Sequence, residues 1–148
     1  MNDKSKPFVI LMAEDDADDR LLLKDALTEC QCEADMRFVE NGEELLDYLG
    51  RRGKYQQADL APRPRIIILD LNMPRKDGRE ALREIKSNSE LRSIPVVVLT
   101  TSGADTDIEG IYQLGANSFI CKPVQFDQLV NLMRLLGQYW LNAVKLPE

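Results

Sequence analysis

Arg65-Ile66-Ile67-Ile68-Leu69-Asp70-Leu71-Asn72-Met73-Pro74 is the stretch that decides how this chain folds. Four apolar residues in a row, three of them Ile, run straight into a carboxylate. A run of that kind reads as a strand covered on both faces, the habit of parallel sheets flanked by helices. Pro74 and Asp77-Gly78 then turn the chain. Asp70 is therefore expected at the C-terminal end of a central strand, where open α/β sheets bind their ligands. Taken alone, Asp70 reads equally well as the cap of a turn, because Asp is a common turn former.

The neighbouring segments repeat the pattern. Phe8 to Ala13 is apolar and ends in Glu14-Asp15-Asp16. A helix follows from Ala17 to Cys30, with Leu22, Leu23, Ala26, Leu27 and Cys30 at helical spacing. Asp16 is the expected N-cap, and Asp18 and Asp19 suit the positive end of the helix dipole. Ala34 to Val39 is a second, weaker strand at the sheet edge. Asn41-Gly42 turns the chain into a helix over Glu43 to Gly50. Gly53 to Pro64 reads as an extended surface loop, more simply an inert insertion than a binding element. Arg79 to Lys86 is a helix, and Pro95 to Thr100 a fourth strand ending in the hydroxyls of Thr100, Thr101 and Ser102. Asp105 to Leu114 is a helix stopped by Gly115. Ser118 to Cys121 is a short fifth strand that meets Lys122-Pro123, and Phe126 opens a final helix reaching to about Val144. Strand and helix alternate five times, which implies a five-stranded parallel sheet, doubly wound, with right-handed crossovers and helices on both faces.

Composition narrows the function. The 148 residues suit a single domain, with 44% apolar and 30% charged side chains. A formal charge of -6 leaves no Lys/Arg surplus for nonspecific binding of nucleic acid or anionic membranes. No run approaches a membrane span, and Met1 to Pro7 has no signal-peptide core, so a cytoplasmic protein is expected. Cys30, Cys32 and Cys121, with no histidine in the chain, do not make a structural zinc set. Reduced, partly buried thiols are the simpler reading. The absence of histidine also removes any His-based triad or phosphohistidine from this chain.

The strand ends carry the chemistry. Strand 1 delivers Glu14 and Asp15, strand 3 delivers Asp70 with Asn72 just beyond, strand 4 delivers Thr100, and strand 5 delivers Lys122. With strand 3 beside strand 1, three carboxylates converge and repel. A hard divalent cation relieves that repulsion, and an oxygen-only set favours Mg²⁺ or Mn²⁺. A carboxylate beside such an ion can act as nucleophile toward a phosphoryl group, with Lys122 and Thr100 contacting its oxygens. Singly, each residue has a plainer reading: a solvated helix start, a strand-end cap, a surface lysine. Together, at successive strand ends, they make one site.

Glu14-Asp15, Ile67 to Pro74 around Asp70, Asp77-Gly78, Val97-Val98-Leu99-Thr100 and Lys122-Pro123 resemble the receiver domain of two-component response regulators. The resemblance covers about Phe8 to Leu136. Its finer style, with the long insertion before Asp70, is similar to the single-domain regulators paired with cyanobacterial and other bacterial phytochrome kinases. It implies a flavodoxin-like sheet of order 2-1-3-4-5 and one receiver domain over 1–148, core about 8–144, with no output domain. It implies Asp70 as phosphoacceptor from a sensor histidine kinase. Asp15 becomes the direct ligand of Mg²⁺ (or Mn²⁺), with Asp70 and the Asn72 carbonyl, and Glu14 the acid that acts on the metal through a bound water; Thr100 becomes the switch hydroxyl, and Lys122 the phosphate-pairing lysine. Asn72 and Ser102 match positions that tune dephosphorylation, and Thr101 stands where a smaller residue is frequent. Phe119 matches the aromatic switch, and its plainer reading is a core side chain. Such a protein is not an enzyme, beyond assisting its own phosphorylation and dephosphorylation.

Two other functions remain open at this level. An Mg²⁺-dependent phosphatase of the haloacid dehalogenase type also uses a strand-end Asp, but expects a second Asp where this chain has Asn72. A phosphorylation-independent scaffold is the third reading, and the complete acid set argues against it. The last helix adds a partner surface. Phe126, Leu129, Val130, Met133, Leu136 and Trp140 form one apolar stripe, and Leu132, Leu135 and Tyr139 a second. With Ile108 or Tyr112 on the preceding helix, the second stripe predicts a two-fold homodimer through the last two helices and strand 5. The downstream partner is expected to be a protein.

Overall fold

The apolar runs become five parallel strands: β1 (Val9–Ala13), β2 (Asp35–Val39), β3 (Ile66–Leu69), β4 (Val96–Thr100) and β5 (Ser118–Cys121). Their order is β2-β1-β3-β4-β5, the flavodoxin-like winding expected from the sequence. The computed structural model describes residues 8–29, 34–71, 73, 75–100, 105–123 and 125–143, with backbone alone for 100, 105–107 and 141–143. Cys30, Cys32, Asn72, Thr101 and Ser102, and the side chain of Thr100, lie outside what is described.

Side-chain alternation along the strands splits the core in two. Ile10, Met12, Ile66, Ile68, Val97 and Leu99 pack under α1 (Ala17–Glu29) and α5 (Phe126–Gly137). Leu11, Ala13, Ile67, Leu69, Val96 and Val98 pack under α2 (Gly42–Gly50), α3 (Gly78–Ser87) and α4 (Asp105–Gln113). The three strands β1, β3 and β4 are thus buried on both faces, which is why they read as unbroken apolar runs. β2 is an edge strand, and only Val39 of its five residues is fully buried.

Helices α2 and α3 each begin one residue earlier than the periodicity suggests, at a glycine. The Asn41 and Asp77 side chains accept hydrogen bonds from the Glu44 and Glu80 N–H groups, so both are N-caps. α5 ends at Gly137 and continues as a π-helical turn, Gln138–Ala143, instead of running on as one α-helix. Its inner stripe is buried at Leu129, Val130, Met133 and Trp140, while Phe126 remains 43% exposed.

The segment before β3 departs from the expected extended loop. It winds into two 3₁₀ turns, Gly53–Tyr55 and Ala58–Leu60, and packs down on the body of the protein. The Tyr48 hydroxyl donates to the Pro62 carbonyl at 2.7 Å, Arg51 Nε to the Ala61 carbonyl at 3.3 Å, and Arg63 Nη2 to the Glu90 carbonyl at 2.8 Å. Ala61 and Pro64 are buried as a result. Burial also pushes the Tyr48 phenol up to about 12. Cys121 is exposed, against the expectation of a partly buried thiol.

Candidate functional site

Backbone pairing brings the first two acids together. The Glu14 N–H donates to the Val39 carbonyl at 3.0 Å, and the Asp70 N–H to the Ala13 carbonyl at 3.1 Å. The ladder therefore continues one residue beyond β1 and β3. Ile10 pairs with Ile66 and Met12 with Ile68, so the next even step places Glu14 beside Asp70 on the α1 side of the sheet. Gly78 lets α3 approach from beyond the strand end. A Cβ there would lie 2.6 Å from the Asp70 carbonyl oxygen and 2.7 Å from Leu71 Cα, and the Gly78 N–H donates to the Leu71 carbonyl at 3.1 Å. Asp77-Gly78 is thus both a helix cap and a close backbone contact.

Glu14, Asp15 and Asp70 each place a carboxylate oxygen so that all three lie within 4.8 Å of one another. Glu14 is 2% and Asp70 8% exposed, whereas Asp15 faces solvent. Lys122 reaches into this group from the end of β5. Its ammonium donates to Glu14 Oε1, sits 3.3 Å from Asp19 Oδ2, and lies 3.6 Å from Asp70 Oδ2. The sequence pairs Lys122 with a phosphoryl group on Asp70, and the structure gives it Glu14 as its nearest partner.

Electrostatics follow from this crowding. Burial pushes the Glu14 carboxyl up to about 7; the Lys122 hydrogen bond opposes the rise and the Asp70 charge adds to it. For Lys122 burial works downward, but the hydrogen bond to Glu14 and the charges of Glu14, Asp70 and Asp19 outweigh it and hold the ammonium above its ordinary range.

Two contacts in this site have no counterpart in the sequence reading. Asp19 appeared only as a helix-start acid, and Arg20 not at all. Arg20 Nη1 donates to the Glu14 carbonyl at 2.8 Å and so braces the acid's backbone, while its Nη2 lies 3.4 Å from Glu40. Neither contact has a motif. Asp16 does cap α1 as expected, accepting from the Asp18 and Asp19 N–H groups at 2.8 and 3.2 Å.

The remaining candidates divide. Phe119 is half-buried against the α2–α4 core, and its N–H donates to the Tyr112 hydroxyl at 3.0 Å. Tyr112, Leu135 and Tyr139 are 47%, 60% and 57% exposed. Ile108 and Leu132 are half-buried, and Leu132 packs against the α1/α5 core.

The profile of the family described as the response regulator receiver domain matches residues 10–134 of this chain. The chain is a response-regulator receiver. It is 38% identical over 148 residues to the response regulator Rcp1 of Synechocystis sp., covering 99% of each chain. It is 35% identical to the probable methanogenesis regulatory protein FilR2 of Methanothrix harundinacea, over 95% of this chain and 88% of that one. Among solved structures, the phosphorylated cyanobacterial phytochrome response regulator RcpA superposes with a TM-score of 0.89 at 38% identity, over 97% of this chain and all of that one. The Mn²⁺-bound form of Rcp1 superposes at 0.86 with 37% identity, over 96% and 100%. As a receiver, this response regulator is a phosphoacceptor of two-component signalling. No described helix of it is long and apolar enough to cross a membrane.

Proposed function

We propose that this receiver takes a phosphoryl group on Asp70 from a sensor histidine kinase of the phytochrome type and signals by protein–protein contact in the cytoplasm. The observation that carries this is the convergence of Glu14, Asp15 and Asp70 within 4.8 Å under the single ammonium of Lys122. One lysine does not neutralise so many acids, and all the donors are hard oxygens, so the residues present fit a divalent cation such as Mg²⁺ or Mn²⁺. Glu14, Asp15, Asp70 and the Asn72 carbonyl would hold it. Such an ion supplies charge neutralisation for the oxygens of an incoming phosphoryl group. Asp70, at the strand end, supplies the nucleophilic oxygen; the phosphorus–nitrogen bond of the donor histidine breaks as the phosphorus–oxygen bond to Asp70 forms. Lys122 lies 3.6 Å from Asp70 and reaches the new phosphoryl oxygens by giving up carboxylate partners. Thr100 is the hydroxyl that closes on the phosphoryl group, and Phe119 the aromatic group that follows it.

The output surface is the face of α4, β5 and α5. Tyr112, Leu135 and Tyr139 are its exposed apolar members, flanked by Ile108 and Leu132. Because the Tyr112 hydroxyl occupies the outward N–H of Phe119, association there runs through side chains instead of added strand pairing. A two-fold homodimer over this face is the proposed assembly, with residues 1–148 acting as one receiver unit. Asp70→Asn tests the acceptor: it abolishes acid-stable, base-labile labelling by a cognate kinase supplied with labelled ATP. Label that persists in the variant places the acceptor elsewhere.

A further inference from the structure

Lys122 has one more carboxylate partner than the phosphoryl chemistry requires. Its ammonium carries three N–H donors. Glu14 takes the closest contact, with Asp19 Oδ2 at 3.3 Å and Asp70 Oδ2 at 3.6 Å. These partners differ in their other duties. Glu14 and Asp70 belong to the trio whose oxygens lie within 4.8 Å, and an oxygen given to a divalent cation is lost to Lys122. Asp19 stands outside that trio. It comes from the first turn of α1, which the Asp16 cap and the buried Leu23, Ala26 and Leu27 fix in place. Its side chain is 36% exposed, so it meets the 8%-exposed lysine side chain from the solvent side. A helix-dipole role does not explain the contact. Asp18 stands in the same turn, and among the described residues its side chain makes no ion pair.

We propose that Asp19 is a positioning residue for Lys122. It keeps the buried ammonium paired inside the acidic site once Glu14 and Asp70 serve a divalent cation, and thereby raises the affinity of the site for that cation. This rests on the reading of the acids as metal ligands given above. A buried ammonium that loses its carboxylates must leave the site or resist the change that deprives it. Asp19 removes that conflict, because it remains available when the other two are taken. Without it, Lys122 bears harder on Glu14 and Asp70 and competes with the ion for them.

The test is a double-mutant cycle on Mg²⁺ affinity, measured by titration calorimetry on the full chain. Asp19→Asn is expected to weaken Mg²⁺ binding roughly three- to fivefold when Lys122 is present, the size of a partly exposed ion pair. In the Lys122→Ala background the same change is expected to cost less than about twofold, the residue of screened charge alone. Asp19→Glu is expected to restore most of the affinity. Equal weakening in both backgrounds, or none in either, overturns the inference. A wild-type protein that binds no Mg²⁺ overturns the metal-site reading and this inference together; a wild type that binds Mg²⁺ without coupling between positions 19 and 122 overturns this inference alone.

Discussion

In the metal-free protein, Glu14 makes folding stability fall as pH rises toward neutrality. The carboxyl is 2% exposed and pushed up from 4.5 to about 7, by burial first and the Asp70 charge after it, against the Lys122 hydrogen bond. Between those two values the unfolded chain has lost this proton and the folded chain keeps it. The folded state therefore binds more protons, and stability declines as pH rises through that interval, levelling off above about 7. At 1.36 kcal/mol per pH unit, the loss is about 3 kcal/mol, or roughly 6–12 °C in melting temperature for a chain of this size. Lys122 contributes nothing to this slope. Its raised pKa gives stability that is full below the unfolded lysine value and is lost only as pH rises through the folded one, far above the window.

No histidine titrates in this window, because the chain contains none. Urea unfolding in the presence of a chelator, from pH 5 to 7.5, reads the slope directly. Glu14→Gln keeps a neutral partner for Lys122 and is expected to flatten it. Mg²⁺ should abolish the slope in the wild type, since the ionised acid is the form a cation binds. Its dissociation constant then falls as pH rises, up to about tenfold per unit below pH 7, with one proton released per ion bound. Stability that is flat over this range in the wild type, or a slope that survives Glu14→Gln, refutes the raised Glu14 carboxyl.

Other consequences are as direct. Gly78→Ala places a methyl 2.6 Å from the Asp70 carbonyl oxygen; denaturant unfolding should show a loss of about 1–3 kcal/mol, and Mg²⁺ titration a weaker site because Asp70 shifts. An unchanged midpoint with unchanged Mg²⁺ affinity contradicts the close contact. Tyr48→Phe deletes the 2.7 Å bond to the Pro62 carbonyl and should cost about 1 kcal/mol, with faster amide exchange confined to 53–64. Uniform exchange rates in that segment would mean the tyrosine does not hold it. Leu135→Glu, at a side chain 60% exposed, should leave the fold intact and abolish the proposed dimer, giving a monomer by sedimentation at micromolar concentration. A wild type that is monomeric both with and without phosphorylation removes the proposed dimer.

What the sequence discloses here depends on whether a residue's partner is a neighbour in a periodic pattern. Ile66 to Leu69 and Val96 to Leu99 announce a parallel sheet because both faces of each strand are covered, and Glu14 and Asp70 stand out because each directly follows a run of that kind, whereas Lys122 follows the short, half-buried edge strand β5. Asn41-Gly42 and Asp77-Gly78 are legible as punctuation but not as caps, since a turn and an N-cap ask for the same residues. Only the bonds from their side chains to Glu44 and Glu80 settle which they are. The 53–64 segment is illegible for a different reason. Its order comes from Tyr48, Arg51 and Arg63 binding main-chain carbonyls, and such bonds carry no signature in either partner.

Asp19 is the sharper case, because a sufficient local reason hides the tertiary one. An acid in the first turn of a helix is already explained by the dipole, so nothing in the chain marks Asp19 apart from Asp18. Their difference is set by the 100° rotation between successive helical residues, which carries one carboxylate to solvent and the other to an ammonium 103 positions away. That ammonium is in place only because β5 closes the sheet beside β4 and ends at Cys121. The upward push on the Glu14 carboxyl and a partner for Lys122 are therefore properties of how the elements pack across the strand ends. Asp18→Asn and Asp19→Asn remove the same first-turn charge, and on this reasoning only Asp19→Asn weakens Mg²⁺ binding appreciably, because only Asp19 meets Lys122. Equal weakening by the two variants would show that first-turn charge acts without the contact to Lys122.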